Sequence, residues 1–254
     1  MRAGAKVFSA LDGDLEPLLA CGWLLSMTQG IAVVAGPSER KPGAGPAAHG
    51  FMDPHVLRQD RDEEVLLQAA AAHLRRVAAA LPGDGALQLV HGPPVGNFDL
   101  LLVGRPPFGR PLSSSPAYWN ADAQRFKAVL VAPRETPSCL SRSVTILANG
   151  PPREPLSFGI ARRLFPALAS VRLILDHGSS PEQESEWLRL IDCHCPVQVS
   201  TVRRTADPQS AALPDAKDDL LIVERPVGVW AAISFEWRLT GLLERTPGAV
   251  LFTL

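Results

Sequence analysis

Short apolar runs alternate with stretches whose apolar residues return every three or four positions, from residue 7 to residue 252. Val7–Leu11, Ile31–Ala35, Ala86–Val90, Leu100–Val103 and Val129–Val131 are largely apolar without strict alternation, the pattern of strands buried on both faces. Asp14 stands where it can cap a helix whose first turn tolerates Pro17, and Leu18, Gly22 and Leu25 then recur at helical spacing. A longer helix is predicted over 61–81. Leu66, Ala70, Leu74, Val77 and Leu81 share one face, with Asp62, Glu63 and Glu64 at the start and Arg75 and Arg76 near the end, the charge order a helix dipole favours.

The second half of the chain repeats the scheme. Val144–Ala148 reads as a strand, 155–168 as a helix with Ile160, Leu164 and Leu168 in register, and Val171–Leu175 as a strand. Ser180-Pro181-Glu182 supplies a cap, a first-turn proline and an early acid for a helix that turns Trp187 and Ile191 inward. Val197–Val202 and Leu220–Val223 are strands, followed by a helix near 232–245 and a strand at Val250–Phe252. Strands alternating with helices imply parallel pairing and doubly wound sheets.

The repetition extends to sequence. DLLLVGRP at 99–106 matches DLLIVERP at 219–226, AVLVAP at 128–133 matches AVLFTL at 249–254, and VFSALDG at 7–13 matches VTILANG at 144–150. Three landmarks in the same order, 120–137 residues apart, indicate duplication of a domain rather than a solenoid. The predicted domains are 1–134 and 135–254, with 134–143 as linker. Only Gly92–Phe98 separate the third and fourth strands, too few residues for a crossover helix.

Composition narrows the functional classes. The chain has 254 residues, 46% hydrophobic, with 25 Lys+Arg against 26 Asp+Glu. Neither half carries a charge excess, so a nucleic-acid partner, which needs basic side chains against phosphates, is not expected. The longest apolar stretch, Leu15 to Met27, contains Glu16 and Pro17 and falls short of the ~20 residues of a membrane span. The first residues do not read as a signal peptide. Four cysteines make no disulfide framework, and a cytoplasmic, reduced protein is expected.

The order of elements, the first strand ending in Asp12-Gly13 and the fourth ending DLLLVG resemble a tandem universal stress protein over nearly all of both halves. The resemblance implies two doubly wound, mostly parallel five-strand domains of the adenine-nucleotide alpha hydrolase-like type. They would form a pseudo-dimer about a two-fold axis, with Val129–Val131 and Val250–Phe252 at their contact. A homodimer of the whole chain is compatible with this. The resemblance also implies a non-enzymatic, stress-associated adaptor or regulator that can bind ATP or another adenine nucleotide.

The family's glycine loop after the fourth strand runs Gly, two residues, Gly, nine residues, then Gly-Ser or Gly-Thr. Its glycines let backbone N–H groups approach phosphates, and the final pair opens a helix. Gly104 fits the first position, but Pro107 and Ala117-Tyr118 replace the others. Gly109, Arg110, Ser113, Ser114 and Ser115 offer a substitute cradle. Asp12 matches the family's acid beside the base, and a turn or cap role explains it equally well. In the second half Asn149, Glu224, Trp237 and Arg238 take the corresponding places, and a carboxylate there repels phosphate. At most weak nucleotide binding in the first half is therefore expected, at Asp12, Gly104, Gly109, Arg110, Ser113 and Ser114.

Other chemistry is thinner. Cys193-His194-Cys195 groups soft ligands without the fourth that structural zinc requires. His49, Asp53 and His55 lie in the Gly- and Pro-rich stretch 37–60 at no metal-binding spacing, which reads as a loop. His91 ends a strand, where ligands gather in open α/β sheets, though a structural histidine is the simpler reading. Cys21 falls in an apolar helix. G-x-S-x-G, H-E-x-x-H and GxxxxGK[ST] are absent. The alternatives to a regulator are a nucleotide-handling α/β enzyme and a scaffold retaining the duplication for assembly alone.

Overall fold

A computed structural model describes residues 4–37, 54–92, 94–112, 125–148, 152, 157–175, 178–194, 197–203, 219–223 and 238–253. In chain order the strands are β1 (Lys6–Ala10), β2 (Ala32–Gly36), β3 (Leu87–Leu89), β4 (Phe98–Val103) and β5 (Phe126–Val131), then β6 (Ser143–Ala148), β7 (Ser170–Leu175), β8 (Gln198–Arg203), β9 (Leu220–Val223) and β10 (Ala249–Thr253). The described helices are α1 (Leu15–Ser26), α2 (Pro54–Ala80), α3 (Ser157–Leu164) and α4 (Pro181–His194), with a fifth helical segment, α5, over 238–245.

The ten described strands form one sheet in the order β3-β2-β1-β4-β5-β10-β9-β6-β7-β8. Every pairing is parallel except the central one, where β10 runs antiparallel to β5 with Val250 opposite Val131, Leu251 opposite Leu130 and Phe252 opposite Val129. The order therefore reads alike from either edge: the five strands of 6–131, then the five of 143–253 reversed. The two apolar strands expected at the contact between halves are the ones that pair there. That pairing leaves neither as an open edge.

Alternating residues send the core to two faces. Val7, Leu100, Leu102, Leu130, Val144, Ile146, Ile222 and Leu251 point to the layer of α1, α2, α3 and α4. Phe8, Leu101, Val103, Val129, Val131, Leu221, Val223 and Val250 point to the other, where Leu112 and Leu239, Leu242 and Leu243 of α5 cover them. Both faces are covered, so the strands read as unbroken apolar runs. The acid that opens each repeated octapeptide pins its strand to a neighbour. Asp99 accepts from the Lys6 N–H at 3.0 Å and Lys127 Nζ at 2.5 Å, and Asp219 accepts from the Ser143 hydroxyl.

Helix boundaries follow local chemistry. The Asp14 side chain accepts from Glu16 N–H at 3.2 Å and caps α1. Ser180 and Gln183 form a reciprocal capping box on α4, Ser180 N to Gln183 Oε1 at 3.0 Å and Gln183 N to Ser180 Oγ at 3.3 Å. Two boundaries differ from expectation. α2 begins at Pro54 rather than residue 61, because a proline suits the first helical position; residues 54–60, including His55, are thus helix rather than loop. α3, Ser157–Leu164, stops short of the expected residue 168, because Pro166 disfavours helical backbone just before it; residues 155–156 lie outside the described residues. His49, Asp53, Ser113, Ser114, Ser115, Asn149, Cys195, Glu224 and Trp237 lie outside the described residues.

Candidate functional site

β1 and β4 are adjacent, so their carboxyl ends place Asp12 beside Gly104. The Gly104 N–H donates to Asp12 Oδ1 at 3.1 Å. A Cβ on residue 104 would clash with the Asp12 carbonyl oxygen, so the glycine is required by the closeness of the two strand ends. Its N–H is directed at Asp12 instead of at a ligand.

Beyond Gly104 the chain enters Arg105-Pro106-Pro107 and turns. Arg110 N–H donates to the Pro107 carbonyl at 3.0 Å, and Gly109 at the third position has φ +76°, which that place in a type II turn requires. The Gly109 N–H donates to Glu244 Oε1 at 3.0 Å. The turn is thereby tied to α5, and Phe108 at its tip is 81% exposed.

Arg105 was not anticipated as a key residue. Its guanidinium is partly buried and reaches across the centre of the sheet to carbonyls at the end of α5. It donates to Thr246 at 2.7 Å, to Gly248 at 2.5 Å and to Leu243. It also donates to Ala132 at 3.3 Å. Burial, then the neighbouring Arg134 charge, lower its pKa to about 10, so it stays charged at neutral pH. Arg134 adds a bond from its side chain to the Glu244 carbonyl at 2.7 Å and one from its N–H to the Pro247 carbonyl at 2.8 Å. Cations suit the carbonyl end of a helix. The sequence signal for Arg105 was present: Arg-Pro recurs in both octapeptides.

These contacts wall a cleft of about 430 Å³. Gly13, Asp14 and Pro17 line it from the start of α1, Pro106, Pro107, Phe108 and Arg110 from the turn, Pro133 and Arg134 from the end of β5, and Thr240, Leu243 and Glu244 from α5. It lies at the carboxyl ends of parallel strands, where open α/β sheets place ligands. Its chemistry is apolar with a net cationic rim, because Arg110 and Arg134 join the engaged Arg105 against Asp14 and Glu244. The start of α1 is a poor phosphate cradle: the Asp14 carboxylate occupies the cap, and Pro17 has no N–H. Of the described candidates, Arg110 lines the cleft, while Asp12, Gly104 and Gly109 shape its wall.

His91 and Cys21 lie apart from the cleft, and the side chains of Cys193, His194 and His55 lie outside the described residues. His91 is exposed, its Nδ1 3.8 Å from Glu63. Cys21 is buried, which raises its thiol to about 12 and leaves it an inert core residue. Among the described residues no group of three His, Cys, Asp or Glu could hold a metal ion, and no helix is long and apolar enough to cross a membrane.

No family model and no curated protein matches the sequence. Solved structures do match. A functionally unknown protein, PA1789 from Pseudomonas aeruginosa PAO1, is similar over 98% of this chain and 92% of its own, with TM-score 0.52 and 12% identity. The cytoplasmic domain of a prokaryotic cation chloride cotransporter is similar over 99% and 95%, with TM-score 0.49 and 12% identity. The first likeness shows the fold: a mostly parallel, Rossmann-like α/β sheet.

Proposed function

We propose that the protein is a non-enzymatic, stress-associated regulator or adaptor built from two universal-stress-like halves, 1–134 and 135–254, and that ligand occupancy of the cleft biases how the halves pack. One observation carries this reading. The cleft is formed by the segments that follow β1, β4 and β5 in the first half and closed by Thr240, Leu243 and Glu244 of the second, so an occupant touches both.

The ligand that fits the resemblance is ATP or another adenine nucleotide, held weakly. Phe108 and the prolines offer an apolar surface for a base, and Arg110 offers charge for a phosphate. Two phosphate donors of the family loop are lost: Pro107 has no N–H, and Gly104 N–H is engaged by Asp12. Charge-assisted contacts contribute on the order of 1.5–3 kcal/mol each. Losing two weakens binding by roughly 10²–10⁴-fold. Calorimetric titration of ATP into wild type and Arg110→Ala tests this. The expected result is weak binding that Arg110→Ala abolishes; submicromolar affinity unaffected by the substitution contradicts it.

A second reading, a scaffold without ligand, is favoured by the engagement of Gly104 and Arg105 in contacts within the chain. The melting temperature with and without millimolar ATP separates the two: a rise supports the regulator, and none supports the scaffold.

A further inference from the structure

A second cavity, about 620 Å³, lies on the helix-covered side of the join between halves, within the range of small-molecule sites. Leu24, Met27, Thr28 and Gln29 line it from the end of α1, Arg163, Pro166 and Ala167 from the end of α3, and Ser138, Cys139, Leu140 and Arg142 from the connection between β5 and β6. α1 and α3 follow the first strand of their respective halves, so equivalent segments face each other across the groove.

Its chemistry is one-sided. The side chains of Leu24, Met27, Leu140, Pro166 and Ala167 make an apolar floor, Arg142 and Arg163 are both exposed, and among the described residues no carboxylate lines it. Arg163 acts on Asp99 through space, but Asp99 is already bound by Lys127 Nζ and the Lys6 N–H. An apolar floor beside two exposed cations, with no acid among the described lining residues, selects an anion attached to an apolar body. We propose that this groove binds a small amphiphilic anion, a carboxylate or phosphate ester on an alkyl chain, which bridges the two halves. The site is separate from the cleft at the carboxyl ends of β1, β4 and β5 and does not depend on nucleotide binding there.

Cys139 is exposed in the groove wall and reports occupancy. The rate at which iodoacetamide alkylates Cys139, read peptide by peptide, should fall severalfold with millimolar decanoate or decyl phosphate. The uncharged decanol should protect less, and decyltrimethylammonium should not protect. Protection by both anions, or by one, supports the site and identifies its headgroup. Arg142→Gln with Arg163→Gln should raise the concentration for half-protection by about tenfold or more, while Arg110→Ala leaves it unchanged. Both arginines are exposed, so the double variant should keep the wild-type circular dichroism. Absence of protection by either anion, equal protection by the cationic amphiphile, or protection that survives the double substitution overturns the proposal.

Discussion

The Asp12 carboxylate accepts the Gly104 N–H at 3.1 Å, and the strand ends that carry them lie too close for any side chain at residue 104. Gly104→Ala forces β1 and β4 apart or strains their ends. Overpacking of this kind costs about 1–3 kcal/mol. Gly241, inside α5, meets nothing within 4 Å of an added Cβ, and Gly241→Ala should stabilise by about 0.5–1 kcal/mol. Urea unfolding of both variants checks the contrast; equal effects contradict it.

Arg105 should be among the costliest polar residues to remove. Arg105→Met leaves the Leu243, Thr246 and Gly248 carbonyls without their donor at the end of α5. The expected loss is about 2–4 kcal/mol, from hydrogen bonds to a charged group worth about 1.5–3 kcal/mol each. Arg105→Lys should recover only part, because a point charge does not reproduce a planar fork of donors. The denaturant midpoint at unchanged slope measures both.

The capping box on α4 gives a smaller effect. Ser180→Ala removes the acceptor for Gln183 N–H and should cost about 1 kcal/mol. Substituting Thr should restore most of it, read in the same urea titration.

Asp99 supplies a pH signature. Partial burial raises its pKa, but hydrogen bonds from Lys127 and the Lys6 N–H, with the Lys127 and Arg163 charges, outweigh this and hold it below its ordinary 3.8. A folded pKa below the unfolded one adds stability that is fully present above the unfolded value and lost as pH falls through the folded value. The melting temperature of wild type should therefore exceed that of Asp99→Asn at neutral pH, and the gap should close on acidification below 3.8. A gap independent of pH contradicts the assignment.

The strands were legible because burial on both faces leaves nearly continuous apolar runs, as in Leu100–Val103 and Leu220–Val223. The central pairing of β5 with β10 came from the repeat and the resemblance together, since apolar character alone does not name a partner strand. The start of α2 was missed because residues 54–60 adjoin a Gly- and Pro-rich stretch and read as one loop with it. Pro54 sets its first turn. Asp12 and Gly104 were legible as a pair at strand ends, but their mutual hydrogen bond depends on strand spacing. The role of Arg105 depends on carbonyls some 140 positions away in sequence, beyond any local pattern.

Hydrogen exchange of the α5 amides, residues 238–245, with and without ATP tests the central claim most directly, because the cleft belongs to the first half and its closing helix to the second. Ligand that binds the folded, closed arrangement raises the free energy of opening. The account predicts slower exchange in α5 on adding ATP to wild type and no change in Arg110→Ala. Exchange in α5 that stays the same at ATP concentrations shown calorimetrically to saturate the protein would contradict it.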